Sequence, residues 1–234
     1  MKLLLDADII TYHAVYSSEG STIAGLIDKL DSIMGSIIYN LEHEEGLIFD
    51  YQGYLTGTGN FRHEISDIYK AQRPKEKPIT LKLARNYLVD NYNVSVVDGI
   101  EADDAIATEA NRIGYENAII VSIDKDFMQI PCTIYNYQKQ TWKVVSEWEA
   151  KVNFYTQVLT GDIADNIKGL HGIGPKKAAK ILEGCEDEVA LYKACLDAYE
   201  GDSERILKGA NLLWLRRHEG QVWQPPEVKA TDQV

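Results

Sequence analysis

The chain has 234 residues, 45% of them hydrophobic, and a formal net charge of −12, which suits one α/β domain with a small attached module and argues against a uniformly basic nucleic-acid binder. The apolar run Leu3–Leu5 stops at Asp6, too short for a signal peptide or a membrane span, and no membrane partner is expected. Cys132, Cys185 and Cys195 show no CxxC or Cys/His ligand spacing, which points away from a disulfide framework or structural zinc and fits a reducing cytoplasm.

Taken in chain order, Lys2–Leu5 reads as a buried strand ending at Asp6. Apolar residues at Ile23, Leu26, Ile27, Leu30, Ile33, Ile37 and Leu41 have helical spacing, with Ser21 or Thr22 as N-cap. Gly57 and Gly59 mark a turn. Glu101–Ile113 is a second helical pattern stopped by Gly114, and Ala118–Ile123 is a strand ending at Asp124. Thr133–Val145 reads as a hairpin. From Glu147 the pattern is helical, with a glycine-rich break at Gly169–Gly174 and a polar, frayed tail over 225–234. Strands alternating with helices predict a mostly parallel sheet, whose ligands bind beyond the strands' carboxyl ends. Asp6 and Asp124 both fall there.

Four acidic groups stand out: Asp6 and Asp8; Glu101, Asp103 and Asp104; Asp124 and Asp126; Asp162 and Asp165. Each alone has an ordinary explanation, such as a turn cap or the first turn of a helix. Together they hold nine carboxylates, which resist joint ionisation unless a cation joins them. Magnesium is a hard ion that takes oxygen ligands, and a pair of such ions suits phosphodiester hydrolysis. Asp162 and Asp165, three apart, share a face if that segment is helical. Glu101 and Asp103 converge only if Glu101 lies just before its helix.

The basic residues are concentrated. Between Arg62 and Arg85 there are seven (Arg62, Lys70, Arg73, Lys75, Lys77, Lys82, Arg85) against three acids. A second patch, Lys168, Lys176, Lys177 and Lys180, surrounds GLHGIGPKKAA. There Gly172 and Gly174 let backbone approach a phosphate, Pro175 opens a helix, and Lys176 and Lys177 add charge. An acidic site flanked by two basic patches is compatible with a nucleic acid substrate.

The motifs LLLDADIITYHA, NFRHEISDIYKAQR, GIEADDAIA, IIVSIDKDFMQIP and TGDIADNIKGLHGIGPKKAAKIL resemble those of the 5′-nuclease superfamily of flap endonucleases and 5′→3′ exonucleases, in that family's order. The likeness is to the compact phage type, which would place the protein in a host cytoplasm. The resemblance implies an α/β, PIN-like, mostly parallel sheet flanked by helices, with a helix–three-turn–helix DNA-binding region. It divides the chain into a nuclease core over 1–146, including a short gateway over 62–86, a helical DNA clamp over 147–224, and the tail.

It further implies two magnesium ions, with manganese as a substitute. Asp6, Glu101, Asp103 and Asp124 match the first-metal set, with Asp104 close by. Asp126, Asp162 and Asp165 match the second, and Asp8 matches only the phage-type pattern. Lys70 and Arg73 are implied as catalytic groups at the scissile phosphate. Arg62, Tyr69, Lys77, Lys82, Arg85, Gly172, Gly174, Lys176 and Lys177 are expected to meet DNA. Tyr69 is expected to stack on a base, and the clamp loop to hold potassium. One departure is that Gly57 stands where many relatives carry an aspartate, so the first metal has one carboxylate fewer or Asp8 compensates.

The expected activity is magnesium-dependent hydrolysis of DNA at a 5′ end, flap, nick or gap by a monomer, with RNA–DNA hybrids as a further substrate. Two alternatives stand beside it. A PIN-type ribonuclease shares the acids without needing the GIGPKK clamp. A DNA-binding module without catalysis has Gly57 as its support.

Overall fold

The computed structural model describes residues 1–74 and 76–227. The expected frayed tail lies outside the described residues from 228 onward. The chain opens with β1 (Lys2–Asp6), α1 (Ala7–Ser17) and α2 (Ile23–Tyr39). There follow β2 (Asp50–Asn60), the one-turn α3 (Arg62–Ile65), α4 (Ile79–Asn91), β3 (Val94–Gly99) and α5 (Ala102–Ile113). Next come β4 (Ala118–Val121) and the hairpin of β5 (Thr133–Asn136) and β6 (Thr141–Val144). The last part holds α6 (Glu147–Thr160), the two-residue strands β7 (Gly161–Asp162) and β8 (Ile167–Lys168), α7 (Pro175–Ile181), α8 (Glu188–Ala198) and α9 (Ser203–Leu213).

The main sheet has the order β3-β2-β1-β4-β5-β6. All its pairs are parallel except β5 with β6. Its centre is β1, whose Leu3, Leu4 and Leu5 are 0–1% exposed. A continuous apolar run is what a strand covered on both faces requires. One face packs Leu3 and Leu5 with Leu26, Leu30 and Met34. The other packs Leu4 with Ile106, Ala110 and Ile120. A third cluster lies among α6 to α9 around Phe154, Leu191 and Trp223. The parts interlock, because Tyr69 packs into the helical cluster and Leu215 into the sheet's.

Strand order reverses beside β1. The chain builds β1, β2 and β3 outward on one side, then crosses back to lay β4 on the other. Leu5 pairs with Val121, so β1 and β4 end level with each other. The crevice beyond those two ends is the topological switch point, where open α/β sheets bind ligands.

Three local readings differ from expectation. Gly57 and Gly59 do not form a turn; they continue β2, where the register with β3 shifts between Thr56 and Asn60. Asp162 and Asp165 do not share a helix face, because Asp162 ends β7 and Asp165 sits in the turn before β8. Helix α1 has no counterpart among the predicted elements. Its buried face is built largely of Ala7, Ile10, Thr11 and Ala14, so small and polar residues blur the apolar period that reveals helices.

Candidate active site

Asp6 closes β1 and caps α1, accepting a hydrogen bond from the Ile9 N–H (3.1 Å). Its other oxygen accepts from Ser122 Oγ at 2.7 Å, and Ser122 Oγ in turn accepts the Asp124 N–H at 3.0 Å. One buried hydroxyl thus ties together the two strand ends. Asp124 then caps the turn of 3₁₀ helix at Lys125–Gln129 by accepting the Asp126 N–H (2.9 Å). Glu101 lies one residue ahead of α5 in extended conformation, as its convergence with Asp103 requires. Asp162 Oδ1 accepts the N–H groups of Ala164 and Asp165 (2.7 and 3.3 Å), which turns Asp165 inward.

These groups open on one cleft of about 960 Å³. Eight of the nine carboxylates line it, together with Lys70, Arg73, Lys77, Lys82 and Arg85. Burial, with Asp8 and Asp124 adding repulsion, raises the Asp6 carboxyl to about 7 despite its hydrogen bonds. Burial and then Asp124 and Asp162 raise Asp126 to about 7. Asp103 is pushed up by burial and by Glu101 and Asp104. Glu101 goes the other way: burial works to raise it, but Lys70 and Arg62 hold it below the usual range.

The carboxylates divide by partner. Glu101 pairs with Lys70, Asp165 with Arg73, Asp8 with Arg85 and Asp162 with Lys125. Asp6, Asp103, Asp124 and Asp126 have no ion pair within 4 Å among the described residues. No three Asp, Glu, His or Cys side chains among those residues converge as a preformed metal cage. The donor set still fits a hard divalent cation: it is all oxygen, and its buried carboxyls are driven toward neutrality for want of positive charge.

The segment after α3 is laid on the Asp165 turn. Lys70 N–H donates to Asp165 O (3.0 Å), Gln72 Nε2 to the carbonyls of Ile163 and Ala164 (2.8 Å each), and Asn166 Nδ2 to Ile68 O (2.8 Å). Lys70 adopts φ +54°, a left-handed conformation uncommon for a residue with a side chain, and its ammonium lies on Glu101.

A family model for the 5′-3′ exonuclease N-terminal resolvase-like domain matches residues 2–155. The chain belongs to the 5′–3′ exonuclease family. DNA polymerase I of Rhizobium leguminosarum is 36% identical over 190 residues, 73% of this chain and 18% of the polymerase. Flap endonuclease Xni of Aeromonas hydrophila is 33% identical over 180 residues, 69% of this chain and 63% of that protein. The chain therefore spans under a fifth of the polymerase relative and just under two thirds of the Xni relative. A structure of T5 5′-exonuclease with bound zinc superposes with a TM-score of 0.70 at 17% identity, covering 91% of this chain and 89% of the other. Flap endonuclease-1 from Methanococcus jannaschii gives a TM-score of 0.60 at 13% identity, covering 94% and 79%. These two superpositions establish the PIN-like fold.

Within this exonuclease-family cleft, several expected site residues are turned toward other groups of the protein. Asp104 and Arg62 are absent from the cleft lining and pair with each other. Asp104 is 0% and Arg62 1% exposed, joined by two parallel hydrogen bonds (2.5 and 3.0 Å). Arg62 also donates to the carbonyls of Leu212 and Trp214 (2.9 and 2.8 Å), and Asp104 accepts the N–H groups of Arg216 and Glu101 (3.0 and 3.2 Å). Tyr69 offers no face to a base: it is 2% exposed, with its hydroxyl 2.8 Å from Glu101 Oε2 and 3.1 Å from Asp165 Oδ2. Arg85 is engaged by Asp8 and by the Thr56 carbonyl, while Asp8 also accepts the Thr56 N–H at 2.9 Å.

Gly57 has a backbone reason. A Cβ there would lie 2.2 Å from Asp98 Oδ1 and 2.7 Å from the Val97 carbonyl oxygen. No aspartate fits at 57 while β3 stays where it is. In the glycine-rich loop, Gly172 takes φ +72°, Gly174 caps α7 and Pro175 opens it. Lys176 and Lys177 are exposed, and Lys177 Nζ donates to Gly172 O at 2.8 Å. Sequence reasoning passed over Ser122, Lys125 and Gln157. Only the placement of the first two in SIDKD, around Asp124, offered a signal for them.

Proposed function

We propose that the protein is a divalent-metal-dependent 5′ nuclease acting on DNA as a 5′→3′ exonuclease and 5′-flap endonuclease. The observation that carries this reading is the shared cleft at the switch point, where seven family-matched carboxylates face Lys70 and Arg73. Asp6, Glu101, Asp103 and Asp124 would hold one magnesium ion, and Asp126, Asp162 and Asp165 the other. Two such ions, when bound, supply a deprotonated water and offset charge on the leaving oxygen. Manganese has the same preference for oxygen ligands.

The chain's own groups do the rest. Lys70 and Arg73 release Glu101 and Asp165 and turn to the scissile phosphate, where they stabilise charge on the transferring group. The unusual φ of Lys70 aims its stem into the cleft for that purpose. Lys77 and Lys82 line the cleft's outer part and are exposed, as contacts to a strand's backbone must be. Lys176, Lys177 and the Gly172–Gly174 loop would hold the duplex. Lys177 already covers the Gly172 carbonyl, so potassium would have to displace an ammonium there. No histidine or serine need act as base or nucleophile.

The test is a panel of four substrates with magnesium and with chelator: a 5′ flap, a nicked duplex, a blunt duplex and an RNA–DNA hybrid. Cleavage of the DNA substrates at or near the 5′ end, abolished by chelator, is expected. No cleavage of any DNA with magnesium would overturn the reading. Cleavage of RNA alone would favour the ribonuclease alternative.

A further inference from the structure

We propose that Gln157 is a positioning residue for Asp126, set in turn by Gln129 and the strap of residues 212–217, which begins in the last residues of α9. The proposal rests on the nuclease reading above.

Gln157 projects from α6, and its Nε2 donates to Asp126 Oδ1 at 2.5 Å. Its Oε1 accepts from Gln129 Nε2 at 3.3 Å. Gln129 is 1% exposed and lies at the end of the 3₁₀ turn that begins beside Asp124. Its Nε2 also donates to Leu213 O (2.9 Å), and its Oε1 accepts the Leu215 N–H (3.0 Å). Its main-chain carbonyl accepts from the Arg217 guanidinium at 2.5 Å.

These partners decide which way both amides face. A carboxamide has one end that only donates and one that only accepts. The strap presents a carbonyl at 213 and an N–H at 215, so Gln129 must set its nitrogen toward 213 and its oxygen toward 215. That nitrogen then faces Gln157, which must turn its oxygen to Gln129 and its own nitrogen to Asp126. The strap's backbone thereby ensures that Asp126 meets a donor.

The consequence falls on the carboxylate. The Asp126 N–H is engaged by Asp124, which fixes the backbone and leaves the side chain to rotate. Gln157 holds Oδ1, and Oδ2 accepts no hydrogen bond among the described residues. Asp126 lines the cleft and is thus held by one oxygen, with the other free of hydrogen bonds among the described residues. Partners that orient a ligating carboxylate in this way are worth roughly 10–100-fold in metal affinity. The strap is the LLWLRR segment, which has no role in the chemistry proposed above.

The experiment measures Mn²⁺ binding by titration calorimetry on the full chain, for wild type, Gln157→Leu, Gln157→Asn and Gln129→Glu. Thermal melting and duplex binding, both in chelator, are measured alongside. Gln157→Leu should weaken one of two Mn²⁺ sites about 10–100-fold, with melting and metal-free duplex binding unchanged. Gln157→Asn keeps an amide on a shorter stem and should lose the same site; it carries the test if the leucine variant melts early. Gln129→Glu keeps the acceptor for Leu215 and removes the donor to Gln157, so it should weaken that site too. Wild-type Mn²⁺ binding in both Gln157 variants overturns the positioning role, and in Gln129→Glu it overturns the link to the strap. A wild-type protein that binds no Mn²⁺ overturns the nuclease reading itself and the relay with it.

Discussion

Asp104→Ala separates a structural role from a metal-binding one, because the structure gives Asp104 no access to the cleft. The substitution leaves the Arg62 guanidinium charged and 1% exposed, without its two parallel hydrogen bonds. It also strips a partner from the N–H groups of Glu101 and Arg216. Breaking a buried ion pair from one side costs about 3–5 kcal/mol. A domain of this size loses roughly 2–4 °C of melting temperature per kcal/mol. The melting temperature of Asp104→Ala should therefore fall by roughly 6–20 °C. Arg62→Met should cost a similar amount, and the double variant Asp104→Leu/Arg62→Met less than the sum, since neither charge is then left alone. The assay is circular dichroism melting in chelator, where metal binding has no part. Asp104→Ala melting within about 2 °C of wild type, yet losing Mn²⁺ affinity, would refute the structural assignment and return Asp104 to the metal set.

Changing Lys176 and Lys177 together to Ala should weaken duplex binding and reduce the slope of log K against log salt by about 1.8, at roughly 0.9 for each phosphate charge that a lysine neutralises; an unchanged slope removes the clamp from the binding surface. Asp6 and Asp126 sit at about 7, above the ordinary carboxylate value near 3.8. Their neutral forms favour the folded state, so in chelator this contribution is present at low pH and lost as pH rises from about 4 through 7. Magnesium competes with those protons, so the melting-temperature gain it confers should grow from pH 5.5 to 8; a gain independent of pH refutes the reading. Gly57→Asp should lower the melting temperature without strengthening Mn²⁺ binding, given the 2.2 Å approach of Asp98; tighter Mn²⁺ binding at unchanged stability would show that β3 yields.

The sequence displayed its chemistry wherever a pattern and a terminus coincide. Leu3–Leu5 and Ala118–Val121 are unbroken apolar runs, so the aspartates after them had to emerge together once the strands paired in parallel. Glu101 read as the first residue of a periodic helix, and the structure sets it one residue ahead, as convergence with Asp103 requires. Asp103 and Asp104 are neighbours of the same type, and nothing local says which turns inward. That is decided by Arg62, 42 positions away, and by carbonyls beyond residue 211. The burial of Tyr69 is hidden in the sequence for a similar reason, since it depends on helices that follow it by some eighty residues. Gly57 looked like a lost ligand because a glycine says nothing of what approaches it. Its meaning is the Asp98 side chain and the Val97 carbonyl of the adjacent strand.

The Ser122 bridge also bears on when the site comes into being. Its two ends are 116 positions apart, and they meet only where β4 pairs with β1. Contacts so distant in the chain close slowly, because a long loop must be ordered before they form. Asp6 and Asp124 are thus joined by a contact of long sequence separation, of the kind that forms slowly. A chain that has made β1, β2 and β3 holds only part of the acidic cleft. The rest is added when β4, with Asp124 just beyond its end, lies on the far side of β1.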